Sequence, residues 1–146
     1  MRLLVLTACE KVIQDPLSGP SLIATFQELT VAFQGNQEVP LNAVVPKDWV
    51  VFAQWLLEEE DRGKNFILHV DVYWPDGTVF TKQQVDVTST LPDWMNLIAR
   101  MLGFPAGQSG KITISVSVEF NGATVSGPIE TFVEVKVKRN EQQDGS

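Results

Sequence analysis

Residues 65–87 restrict the fold more than any other part of the chain. Phe66, Leu68, Val70, Val72 and Trp74 alternate with Ile67, His69, Asp71 and Tyr73, and a second arm alternates Val79, Thr81, Gln83, Val85 and Val87 with Phe80, Lys82, Gln84 and Asp86. Side chains on a strand point to opposite faces with period two, so one face of the first arm is almost purely apolar. Between the arms stands Trp74-Pro75-Asp76-Gly77-Thr78. Pro75 presets φ for a turn, Asp76 can bond the backbone beyond it, and Gly77 can take a positive φ. A β-hairpin follows, and with it a mainly β fold.

The remaining stretches extend this pattern. Residues 1–12 read as a strand with apolar side chains on both faces, which suits a covered or central position. A turn cluster, Gln14-Asp15-Pro16-Leu17-Ser18-Gly19-Pro20, leads to a second strand over 21–33. Its apolar parity shifts between Phe26 and Leu29, which predicts a bulge near Gln27-Glu28 or a strand that crosses between sheets. Residues 48–57, after a loop over 35–46, read as a third strand rich in Trp49, Val50, Val51, Phe52 and Trp55; Val51, Trp55 and Glu58 at i, i+4 and i+7 leave a helix as the alternative, which the β-branched and aromatic content disfavours. Lys111 to Phe120 alternates cleanly, Asn121-Gly122 marks a type I′ hairpin, and the return arm is interrupted at Gly127-Pro128. One helix is expected over 91–102. Trp94, Leu97, Ile98, Met101 and Leu102 form one apolar stripe at helical spacing, Thr90 and Asp93 a capping pair, and Gly103 a stop. About seven strands with one inserted helix close most naturally as an antiparallel β-sandwich of immunoglobulin-like or Greek-key type. A single domain over 1–138 and a disordered polar tail over 139–146 are expected.

Composition narrows function mainly by exclusion. Eleven Lys and Arg against eighteen Asp and Glu give a net charge of −7. That balance argues against nucleic acid or an anionic membrane as partner, since both recruit clustered cations. Cys9 is the only cysteine, so no intramolecular disulfide and no multi-cysteine metal site is expected. Leu6-Thr7-Ala8-Cys9 looks like a lipoprotein cleavage box, but the apolar run before it is only Leu3 to Leu6. A signal h-region needs roughly 7–15 apolar residues. Cytoplasmic location, with Cys9 as a small buried apolar side chain, is the expectation, and acylation at Cys9 is its alternative.

His69 is the sole histidine. It shares a strand face with Asp71 and Tyr73, and a three-residue hairpin loop would put Thr81 and Gln83 opposite them. Two ligands do not make a metal site, so the face reads as a polar, partly wet surface on which His69, Asp71, Tyr73 and Gln83 could meet a partner. Glu58-Glu59-Glu60-Asp61 reads as a solvated turn, because it lacks the alternating oxygen spacing of a calcium loop. No glycine-rich phosphate loop is present, and Trp49, Trp55, Trp74 and Trp94 all fall on apolar stripes. No catalytic residue, metal or cofactor is assigned.

Leu4-Val5-Leu6-Thr7-Ala8-Cys9-Glu10, the later Ser21-Leu22-Ile23-Ala24-Thr25-Phe26, and Val70-Asp71-Val72-Tyr73-Trp74-Pro75-Asp76-Gly77 together resemble a family of small uncharacterised bacterial proteins. The likeness spans most of residues 3–137 and departs at 91–102. It implies a β-sandwich and bacterial origin, and nothing about mechanism. The functional expectation is a non-enzymatic module that binds a protein partner, self-associates or serves in a larger assembly. A carrier of small apolar ligands, its cavity closed by the 91–102 helix, is the alternative. A hydrolase-like enzyme using His69 and Asp71 is a third reading.

Overall fold

The computed structural model describes residues 1–15, 19–35, 38–88 and 93–140. In chain order the strands are β1 (Arg2–Asp15), β2 (Gly19–Phe26), β3 (Glu28–Gln34), β4 (Val44–Val45), β5 (Trp49–Leu56), β6 (Asn65–Tyr73), β7 (Val79–Thr88), β8 (Trp94–Met101), β9 (Phe104–Pro105), β10 (Gly110–Phe120) and β11 (Ala123–Asn140). They form a four-stranded sheet in the order β2-β1-β5-β8, a five-stranded sheet in the order β3-β11-β10-β6-β7, and a two-stranded β4-β9 ribbon. Every pairing is antiparallel except that of β3 with β11.

The two large sheets share one buried cluster, which makes the molecule a β-sandwich. Trp49, Val51, Ala53, Leu97 and Ala99 enter it from the four-stranded sheet, and Phe66, Leu68, Val70, Ile114 and Val133 from the five-stranded one. β5 reads as a continuous apolar run because it is covered twice. Its odd-numbered side chains face the shared core, while Val50 and Phe52 lie with buried Cys9 in a second cluster on the outer side. Cys9 pairs with Thr25 and Val50 in the middle of the sheet, and burial pushes its thiol pKa up.

The parity shift after Phe26 marks a strand that changes sheets. β2 pairs with β1, and after Gln27 the chain crosses over so that β3 runs beside β11. The Asn121-Gly122 hairpin also forms as expected, with positive φ at both residues, 51° and 79°. At the first hairpin, the Gly77 N–H donates to Trp74 O at 2.8 Å and the Thr78 N–H donates to Asp76 Oδ1 at 2.9 Å. The Thr78 hydroxyl and Gln108 also donate to the Asp76 carboxylate, and together these bonds hold its pKa below the usual range.

Several expectations are corrected. The 91–102 helix does not form: residues from Trp94 on build β8, and the only helical piece among the described residues is one 3-10 turn, Glu59–Asp61. The deciding pattern is Met95, Leu97, Ala99 and Met101, which are buried in alternation, whereas Leu102, a member of the helical stripe, is 84% exposed. Trp94 lies at 41% exposure, outside the core expected for it. Leu91, Pro92 and Thr90 lie outside the described residues. β1 runs to Asp15, three residues beyond the expected strand. Arg139 and Asn140 continue the β11 backbone against Phe33 and Gln34, and the rest of the expected tail, 141–146, lies outside the described residues. Among the described residues the strand count reaches eleven because the second strand divides, Trp94–Met101 is β, the return arm is long, and two residue pairs make the β4-β9 ribbon.

Candidate functional site

The polar face singled out by the sequence is the outer face of the five-stranded sheet. The inward side chains of β6 are fully buried, which forces His69, Asp71 and Tyr73 outward together, each half-buried. β10 supplies the next column: Ser117 stands opposite His69, Ser115 opposite Asp71, and Thr113 opposite Tyr73. Phe132 of β11 is opposite Thr113 and 48% exposed, so Tyr73, Thr113 and Phe132 form one row across three strands. The Lys111 ammonium lies 4.4 Å from the centre of the Phe132 ring.

Gln83 does not belong to this face. An extra residue at Phe80 shifts the register between Val72 and Tyr73, so that Tyr73 meets Val79 while Val72 meets Thr81. A one-residue slip moves every later side chain to the opposite face. Lys82 and Gln84 therefore stand opposite Asp71 and His69, while Gln83 turns inward and donates to the Met101 sulfur at 3.3 Å and to Arg100 O at 3.4 Å.

His69 takes its acid from another strand. Its Nε2 lies 3.1 Å from Glu119 Oε2, diagonally across the β6–β10 pairing, with the side chains 27% and 29% exposed. A carboxylate only accepts, so the Nε2 N–H is the donor of this bond. Asp71 instead accepts a long 3.4 Å bond from the Tyr73 hydroxyl. The sequence placed Glu119 on an outward face but held no signal for its partner, because the pairing depends on the register of strands about fifty residues apart.

Ser117, His69 and Glu119 together comprise the side-chain types of a nucleophile, a base and an orienting acid. β6 and β10 lie inside the sheet with a strand on each side, and the β10–β11 register shifts on either side of Val118, next to Ser117. The set sits on the outer face of the five-stranded sheet. Among the described residues no group of three or more His, Cys, Asp or Glu side chains could hold a metal ion.

Elsewhere, a groove of about 280 Å³ opens on the outer side of the four-stranded sheet, between Lys11 and Val12 on one side and Ile98 and Arg100 on the other. The acidic run splits into exposed Glu58, Glu59 and Glu60 and an inward-turned Asp61, which accepts the Glu58 N–H at 3.0 Å and lies 3.1 Å from the Met1 ammonium. Among the described residues no helix is long and apolar enough to cross a membrane. No protein-family model matches this chain, and a search of curated proteins returns no significant match.

Proposed function

We propose that the chain is a non-enzymatic β-sandwich module of immunoglobulin-like connectivity that acts by binding a protein partner or by taking a place in a larger assembly. The row Tyr73–Thr113–Phe132 carries this reading: two ring side chains remain partly in water beside His69, Asp71, Lys82 and Gln84. Aromatic side chains amid directional hydrogen-bonding groups are what interface centres are enriched in. The carrier reading loses its lid, because the segment meant to close a cavity is a strand that contributes Met95, Leu97 and Met101 to the core.

The connectivity supports the immunoglobulin-like part. β5, the β6–β7 hairpin, β8 and the β10–β11 hairpin alternate between sheets in the order found in such sandwiches, and an early strand lies beside the last. Membership of the small bacterial family belongs to the same proposal, carried by the strand and turn residues quoted above. So does a cytoplasmic setting, which suits a lone buried thiol at Cys9.

Quantitative capture from the cells of origin tests the face. The wild-type chain should retain a protein that a His69→Ala, Asp71→Ala, Tyr73→Ala triple variant loses by roughly tenfold or more. Equal recovery by both baits would remove this face from the proposal.

A further inference from the structure

The open edges of the two sheets are not alike. β2 contains Pro20 and holds Ala24 at a positive φ of 54°. β7 carries Lys82, Asp86 and the Phe80 bulge. β3 carries Glu28, bridged to Lys136 at 2.9 Å, and the unpaired half of β11 is broken at Gly127-Pro128. These are devices by which edges avoid pairing with other chains. β8, like β3, has no Pro, Gly or bulge: its eight residues stay in unbroken register with β5, and its one charge, Arg100, unlike Glu28 of β3, makes no ion pair among the described residues.

The direction of the β8 backbone groups follows from two contacts. Leu57 N–H donates to Asp93 O at 2.8 Å, one step beyond the Leu56–Trp94 pair. Bonded and non-bonded pairs alternate along an antiparallel ladder, so Met95, Leu97, Ala99 and Met101 bond β5. The main chains of Asn96, Ile98 and Arg100 therefore face the open side. Gln83 reaching Arg100 O from beyond that edge agrees.

We propose that a second copy of this chain pairs antiparallel along β8, about a two-fold axis at Ile98, so that two four-stranded sheets become one. The inference rests on the surface-binding reading and names the partner. An outward-facing residue must meet another, and the axis at Ile98 satisfies this by placing Asn96 opposite Arg100 and Trp94 opposite Leu102 of the other copy. The side chains suit that arrangement. Arg100, which makes no ion pair among the described residues, comes against the Asn96 amide, whose Oδ1 already accepts from Gln54 at 3.1 Å. Leu102, 84% exposed, comes against the Trp94 ring, and no like charges meet. Leu97 and Ala99 stay on the core side in both copies, and the one contact the pairing displaces is the 3.4 Å bond from Gln83 to Arg100 O.

Sedimentation velocity on the full chain, from low micromolar to near-millimolar concentration, tests the pairing. A concentration-dependent dimer of micromolar affinity is expected, since one strand pair buries less than a standard interface. Arg100→Pro removes an edge N–H that makes no bond to β5, and Ile98→Lys places two like charges on the axis. Each should weaken association by roughly tenfold or more while thermal unfolding remains cooperative. Val125→Glu, an exposed position on the other sheet, should dimerise as the wild type does. Amide exchange needs no substitution: Asn96, Ile98 and Arg100 should exchange more slowly as concentration rises. A wild type that is monomeric throughout, edge variants that dimerise normally, or exchange rates independent of concentration would overturn the pairing. Capture of a partner through His69, Asp71 and Tyr73 by a monomeric chain would leave the broader reading standing.

Discussion

His69 and Glu119 meet because the β6–β10 register puts them on a diagonal, and their partial exposure limits what the contact contributes. Part-exposed polar contacts of this kind contribute about 0.2–1 kcal/mol. Glu119→Gln should therefore keep the fold and cost no more than that in urea denaturation, whatever it does to partner capture. Asp61 is different in kind. Burial alone would raise its pKa, but the Glu58 N–H and the Met1 ammonium outweigh it and hold the carboxyl below its usual range. A carboxyl depressed in the folded state adds stability that is fully present above its unfolded value, ~3.9, and is lost as pH falls through the folded value. Thermal unfolding of wild type and Asp61→Asn should thus differ most at neutral pH, and the curves should converge on acidification below ~4. A gap that persists in strong acid would contradict this assignment.

At the scale of elements, the parts of the sequence that carry their own instructions were readable. Pro75, Asp76 and Gly77 specify one hairpin, Asn121-Gly122 another, and the parity shift at Gln27-Glu28 the crossing between sheets. The segment 94–102 was misread because two periods coexist in it. Trp94, Leu97, Ile98, Met101 and Leu102 satisfy the helical period, while Met95, Leu97, Ala99 and Met101 satisfy the strand period. Pairing with β5 along its whole length decides between them, and a partner strand is not visible from the segment itself. Truncation separates the two readings experimentally. Leu97→Ala should cost about 2–5 kcal/mol, as buried leucines do, whereas Leu102→Ala should stay within about 0.5 kcal/mol. A helical stripe would make both costly. Gln83 was misplaced for a smaller reason, since the one residue bulged at Phe80 reverses its face. β4 and β9 have two residues each, too few to show any period. The shared face of His69, Asp71 and Tyr73 was legible from β6 alone, but Glu119 and Phe132 needed the neighbouring strands.

Across the whole molecule, one end of the sandwich is closed by the β4-β9 ribbon and the aromatic cluster of Phe26, Trp49 and Phe104, in which the Trp49 indole N–H donates to Gly103 O at 2.8 Å. Gly107 lets the loop after β9 lie against the turn at 40–43, since a Cβ there would run into the backbone of Pro40, Leu41 and Ala43. Gly107→Ala should lower stability by about 1–3 kcal/mol in thermal or denaturant unfolding, with no local rotamer to relieve it. A neutral result would show that the 40–43 turn yields easily. The parallel pairing of β3 with β11 sets a condition in time. Glu28 is matched to Glu134, so β3 waits for a stretch synthesised 134 − 28 = 106 residues later. Contacts of such separation slow folding, and a strand edge left open meanwhile is exposed to other chains. On the ribosome, the β6–β7 hairpin can form as soon as it emerges, but the β3–β11 seam closes only after residues 134–140 have followed it out.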